Sequence, residues 1–307
     1  MNSAANAVAG TEGLAGTPPK AQIPHSTPRP LAGSADTDGT PALSASIAHL
    51  LVTKSALHAW HAHPRLNPNY RQEESAEFDY GRAAHSVLLE GSEKSLHVIE
   101  ADDWRTKLAK EARESARADG KTPMLARQVH KVRAMVKAAQ AYVAASELAG
   151  IFEDGEPEHS IEWRENTSRC RGRLDWISKD RRVVLDYKTT QSANPHSFIG
   201  MAVSYGYAMQ EAFYRRGVKA VYGKTPAFVF LLQEKEEPFA CSLVAFDPAM
   251  QDIGDRQAEY GIALWTHAMQ TGKWHGYSTQ IAHLEPPAWY LARAEEMDAL
   301  LESGEQA

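Results

Sequence analysis

The stretch from Cys170 to Thr190 constrains this chain most. It reads as two short strands joined by a tight turn near Asp180-Arg181. Side chains alternate along a strand, so Asp186 and Lys188 share a face. The turn brings Asp175, on the first strand, about opposite Asp186 on the second. Two carboxylates that close repel unless they share a cation. The pattern therefore predicts a divalent-metal site with a lysine beside it.

The rest of the sequence narrows the chemistry. The chain has 307 residues, 43% hydrophobic and 23% charged, in the range of a globular protein. Two cysteines, Cys170 and Cys241, cannot supply the four thiolates of an iron–sulfur cluster, so none is expected. They point instead to a reducing, cytoplasmic setting. No apolar run approaches the roughly 20 residues that span a bilayer, and no signal peptide opens the chain, so no membrane partner is expected. There is no Gly-rich dinucleotide fingerprint and no Gly-x-Ser-x-Gly elbow. The net charge of −6 argues against nucleic acid, but it hides a basic segment. Between Trp104 and Lys137 there are 10 Lys or Arg against 3 acids.

Residues 1–40, rich in Ala, Gly, Pro, Ser and Thr, read as a disordered tail, and 41–307 as a single domain. A helix capped by Ser44 or Ser46 runs to the histidines before Pro64. Those histidines lack a third ligand and read as a polar helix end. Phe78 to Glu90 is a helix closed by Gly91 that carries His85, and Gly81 one turn earlier allows another backbone to approach. A lone helical histidine is ordinarily structural. A short strand is expected at Leu96–Glu100. Two helices then fill Trp104 to Ala149, with a break near Gly120–Pro123. Strands follow at about 159–165, 169–177 and 182–188. A helix from Ser197 to Arg216, stopped by Gly217, places Val203, Tyr207, Gln210 and Tyr214 on one face. Lys219–Tyr222 is loop or edge. Strands at 227–233 and 240–246 and a helix from Asp247-Pro248 to Gln270 complete the core. A loop and an acidic helix end the chain.

Carboxylates bind Mg²⁺ or Mn²⁺, hard cations that prefer oxygen ligands. A metal beside a lysine suits phosphodiester hydrolysis. The motifs in order are Leu43-Ser-Ala-Ser46, Gly81-Arg-Ala-Ala-His85 with Leu88-Leu-Glu90, Gly172-Arg-Leu-Asp175, Leu185-Asp-Tyr-Lys188-Thr-Thr190, Tyr207 to Tyr214 around Gln210, and Trp274-His-Gly-Tyr-Ser278. This set resembles the PD-(D/E)XK nuclease superfamily, and within it the RecE-type phage exonucleases (exonuclease VIII C-terminal domains), relatives of lambda exonuclease and RecB nuclease domains. The superfamily's proline before the first acid is replaced here by Leu174.

The resemblance implies an α/β fold with a restriction-endonuclease-like core, a mixed central β-sheet flanked by helices. It implies that Asp175, Asp186, the backbone carbonyl of Tyr187 and His85 hold Mg²⁺, with Mn²⁺ an alternative. Lys188 would work on the attacking water, and Gln210 and Tyr214 would hold the site and the DNA strand. It further implies 5′-to-3′ digestion of double-stranded DNA ends, leaving 3′ strands for a RecT-like single-strand annealing protein. A ring-shaped homo-oligomer and a phage or prophage source in a bacterial cytoplasm belong to the same expectation. In such a ring some of Arg105, Lys107, Lys110, Arg171 and Arg173 would face DNA. The alternatives are a structure-specific endonuclease on the same core and a catalytically inactive DNA-binding protein.

Overall fold

The computed structural model describes residues 39–71 and 76–303. All but Gly39 and Thr40 of the expected tail lies outside the described residues. The chain divides into two compact units, one up to Trp274 and one from His275 on.

The first unit is built on a five-stranded mixed sheet. Its strands are β3 (Gly155–Glu165), β4 (Ser168–Ser178), β5 (Val183–Thr190), β6 (Ala227–Glu234) and β7 (Cys241–Val244), in spatial order 3-4-5-6-7. All neighbours are antiparallel except β5 and β6, which run parallel. A parallel pair needs a crossover. Here α6 (Pro195–Tyr205) and α7 (Tyr207–Tyr222) supply it. This is the mixed sheet flanked by helices that the sequence leads one to expect.

The sheet has a core on each face. One gathers Ile161, Trp163, Cys170, Leu174, Val184, Phe228 and Phe230 against α7, α1 (Ala45–Thr53) and α8 (Pro248–Thr271). The other gathers Trp176, Leu185, Tyr187 and Leu231 against α3 (Ala76–Leu89) and α5 (Ala126–Ala144). Alternation along β5 sends Val184 to one core and Leu185 and Tyr187 to the other. Asp186 and Lys188 therefore lie on the α7 side.

Several expectations are corrected. The N-terminal helix is two, α1 and α2 (Ala56–Ala62), because the Ser55 side chain caps a second start. The break near Gly120 holds a strand, β2 (Thr122–Leu125), paired in parallel with β1 (Leu96–Ile99). It separates α4 (Lys107–Ala118) from α5. Four residues containing a proline carry little strand signal. Downstream, the helix breaks at Gly206, not Gly217. Gly206 is left-handed (φ 69°) and closes α6 as α7 begins. Gly217 stays within α7 because Ile161 and Trp163 pack where a Cβ would stand, at 2.6–2.9 Å. Lys219–Tyr222 is the last turn of α7, and Val203, across the break, is exposed and off the face of Gln210 and Tyr214. Beside Gly81 the nearest atom is the Thr189 hydroxyl at 3.9 Å, so no close backbone approach requires that glycine.

The second unit contains α9 (Ala288–Ser303), whose described side chains, Trp289, Leu291 and Leu301 among them, are exposed.

Candidate active site

The β4–β5 ladder pairs Trp176 with Leu185 and Ile177 with Val184, and its register continues toward Asp175 and Asp186. Backbone pairing stops there. The Tyr187 N–H donates instead to Asp175 Oδ2 at 2.9 Å. The strands separate where the acids sit, and a side chain satisfies the freed amide. On the other side of β4, pairing with β3 skips Glu158 and Asp175. Glu158 has φ 48°, uncommon for a residue with a side chain. Oxygens of Glu158 and Asp175 and a ring nitrogen of His85 all lie within 4.8 Å of one another.

Asp186 is 1% exposed. Its Oδ1 contacts the Lys188 ammonium, and its Oδ2 accepts from Gln210 Nε2 at 3.2 Å. Gln210 also hydrogen-bonds Tyr214, one turn further on α7. Lys188 Nζ lies over the Tyr207 ring, 4.9 Å from its centroid. His85 comes from α3, with Nδ1 3.6 Å from Asp175 Oδ2 and its ring 4.9 Å from that of Tyr187. It also hydrogen-bonds the Tyr187 backbone. The Tyr187 hydroxyl donates to Gln233, which in turn donates to the Met135 carbonyl at 2.7 Å. This anchor fixes the strand on which Asp186 and Lys188 sit.

Burial dominates the electrostatics. It raises Asp175 above the usual carboxylate range, and it pushes Asp186 up to about 6 with Asp175 adding to the effect. Burial, then the Lys188 charge, lowers His85 to about 4, so at neutral pH its imidazole is uncharged and able to ligate. Burial alone would lower Lys188, but Asp186, Tyr207 and Asp175 outweigh it and keep the ammonium charged. Burial raises Tyr207 and Tyr214 to about 12.

The structure thus brings together His85, Asp175, Asp186, Tyr187, Lys188, Gln210 and Tyr214. Arg173 joins them through Glu158, at 2.9 Å. Arg171 is half-buried farther along β4. Arg105, Lys107 and Lys110 belong elsewhere. Lys107 and Lys110 sit on α4, which packs on β1 and β2, and Arg105 lies just before it. Arg105 pairs with Asp103, and Lys107 with Glu111 at 3.7 Å.

Two site residues escape sequence reasoning. Glu158 is missed when β3 is begun at 159, four residues after its observed start at Gly155, although an acid facing Asp175 across the strands is the available signal. Tyr207 lies on the expected helical stripe, but nothing in the stripe assigns its ring to Lys188.

The donor set fits a hard divalent cation. Glu158, Asp175 and Asp186 carry three negative charges against two positive ones on Lys188 and Arg173, with a neutral imidazole beside them. His85, Asp175, Asp186, the Tyr187 carbonyl and Glu158 are the groups that would hold it.

An acid on each of two separating strands, with a lysine two residues past the second, is the arrangement that defines PD-(D/E)XK nuclease folds. Residues 53–286 match the family described as "PDDEXK-like domain of unknown function" (DUF3799), and the chain belongs to that family. Among solved structures, that of a "Putative exonuclease" from Eubacterium rectale superposes with a TM-score of 0.55 at 12% identity, covering 83% of this chain and 93% of that one. At that identity it supports the fold alone. The structure of SSO0001 aligns at 16% identity over 63% of this chain and 88% of that one, but its TM-score of 0.26 carries no argument. Comparison with curated proteins gave no match.

Proposed function

We propose that this chain is a divalent-metal-dependent exodeoxyribonuclease that hydrolyses linear double-stranded DNA from its 5′ ends. The observation that carries the reading is the convergence of Asp175 and Asp186 with Lys188 where β4 and β5 part. The family supports nuclease chemistry, and the exonuclease name given to the Eubacterium rectale protein is in line with attack from ends. The cofactor would be Mg²⁺, with Mn²⁺ able to replace it. When bound, such an ion polarises a phosphoryl oxygen and acidifies water. The protein's own groups do the rest. Lys188, held charged, is poised to offset negative charge developing on the phosphate. Gln210, backed by Tyr214, fixes the orientation of Asp186. His85, neutral, leaves its ring nitrogen available at Asp175.

In this reading the product 3′ strand passes to a RecT-like annealing protein, and the enzyme is a ring of identical subunits in a bacterial cytoplasm, of phage or prophage origin. No described helix is long and apolar enough to cross a membrane.

End-labelled linear duplex and closed circular duplex with Mg²⁺ test this. The linear substrate is expected to be degraded from its ends and the circle to stay intact. Asp186→Ala and Lys188→Ala are expected to lose about a thousandfold or more in rate. Cleavage of the circle would support the endonuclease alternative, and unaltered hydrolysis in both variants would refute the site.

A further inference from the structure

The face of β3 and β4 that ends at Asp175 is polarised. Directly opposed residues of an antiparallel pair point to the same side. The register opposes Arg164 to Arg169, Glu162 to Arg171, and Ser160 to Arg173. The intervening residues, Ile161, Trp163, Cys170 and Leu174, point the other way into the core. One face therefore runs from a pair of arginines near the β3–β4 turn, through Arg171, to Arg173, which pairs with Glu158 at the edge of the site.

Its charge is not balanced internally. Glu162 pairs with Arg169 at 2.7 Å and Glu158 with Arg173, leaving more arginines than acids. Like charges set directly opposite each other, as Arg164 and Arg169 are, destabilise a sheet. Burial, then the positive charge of nearby Arg65, pulls the Arg171 guanidinium below its usual range, with Arg169 adding to it. At the site end of this face Glu158, the partner of Arg173, meets Asp175 and His85. The row thus concentrates positive potential next to the point where a phosphodiester would be cut.

We propose that this row of Arg164, Arg169, Arg171 and Arg173 is the track that holds the phosphate backbone of the DNA strand entering the site. The proposal rests on the nuclease reading above. Successive side chains on one face of a strand are about 7 Å apart, so the row offers one guanidinium after another along an extended polyanion. Guanidinium groups suit this, since each presents a planar fork of donors to phosphate oxygens. The assignment moves the DNA contact from the α4 segment, which packs on β1 and β2, to β4.

The test is binding of a labelled linear duplex in EDTA, by fluorescence anisotropy, between about 50 and 200 mM salt. The Arg164→Gln/Arg171→Gln double variant is expected to bind at least tenfold more weakly, with a salt slope shallower by about two. Arg164→Gln alone, at an exposed position, is expected to flatten the slope by about one, which keeps the test valid if the double variant unfolds. The triple variant Arg105→Gln/Lys107→Gln/Lys110→Gln is expected to bind within about twofold of wild type. Wild-type affinity and slope in a folded Arg164→Gln variant, or loss confined to the triple variant, would overturn the track while leaving nuclease activity intact. A wild-type protein that neither binds nor cleaves DNA would overturn both readings.

Discussion

Helix α7 carries two buried networks, one residue out of phase. Gln210 and Tyr214 turn toward Asp186 on the sheet. Glu211 and Arg215, the next residue of each turn, serve α8: Glu211 Oε1 accepts from Gln251 at 2.9 Å and meets Arg215 at 3.3 Å, and Arg215 reaches Asp255 at 3.2 Å. Each network has more carboxylate than cation. They differ in how the excess can be relieved. Asp255 lies half in water, and Glu211, 0% exposed, can be relieved by a proton, since burial pushes it up to about 7. At the sheet, Asp175 and Glu158 meet with a neutral histidine in reach and the charge of Asp175 acts on Asp186, and there a shared divalent cation relieves more charge than one proton can. Burial of carboxylates alone does not mark a site. Convergence of several on one point, with a neutral ligand beside them, does.

Exchanging the sheet-facing partner tests this contrast most severely. Gln210→Leu leaves Asp186 Oδ2 without its donor. Hydrogen bonds to charged groups are worth about 1.5–3 kcal/mol, so hydrolysis is expected to fall between about tenfold and a hundredfold. The readout is kcat on linear duplex, alongside the melting temperature. An unchanged rate in a folded variant would mean that Gln210 does not orient Asp186.

Tyr207 comes next in size. Its ring, rather than its hydroxyl, lies beneath the Lys188 ammonium, and a cation over a desolvated ring is worth about 1–2 kcal/mol. Tyr207→Leu is expected to lower kcat about tenfold at unchanged KM, while Tyr207→Phe keeps most of the rate. Equal losses in the two variants would assign the effect to the hydroxyl or to packing.

Much of the sheet is legible from the chain. Alternation locates β3 to β7, and the turn at Asp180-Arg181 fixes the register that sets Asp175 near Asp186. The helix break is harder, because two glycines compete for it. Gly206 ends α6 by adopting a left-handed conformation, whereas Gly217 makes room for Ile161 and Trp163, and only packing separates those uses. β2 is lost because it is four residues long and contains Pro123. Glu158 is hidden by its own backbone: a residue at positive φ interrupts the alternation by which a strand is read. The site residues on regular elements are thus readable, and the one placed by a distortion is not.

The smallest effect on catalysis is expected from the second network, and it is informative for that reason. Glu211 has a folded-state pKa raised to about 7, above the usual value near 4.3. Between those values the folded state binds the proton more tightly than the unfolded one. Stability therefore falls as pH rises from about 4.3 through about 7, and it is fully regained only below the unfolded value. Glu211→Gln removes that dependence. The variant is expected to hydrolyse DNA within about twofold of wild type, since Glu211 faces α8 rather than Asp186. At pH 8 it should be more stable by at most about 4 kcal/mol, less what Arg215 loses with its partner, and the difference should shrink as the pH is lowered. Melting curves from about pH 5 to 8.5 check this. A large loss of hydrolysis in Glu211→Gln would show that the two networks of α7 act as one, and a pH-independent melting difference would show that Glu211 stays charged in the fold.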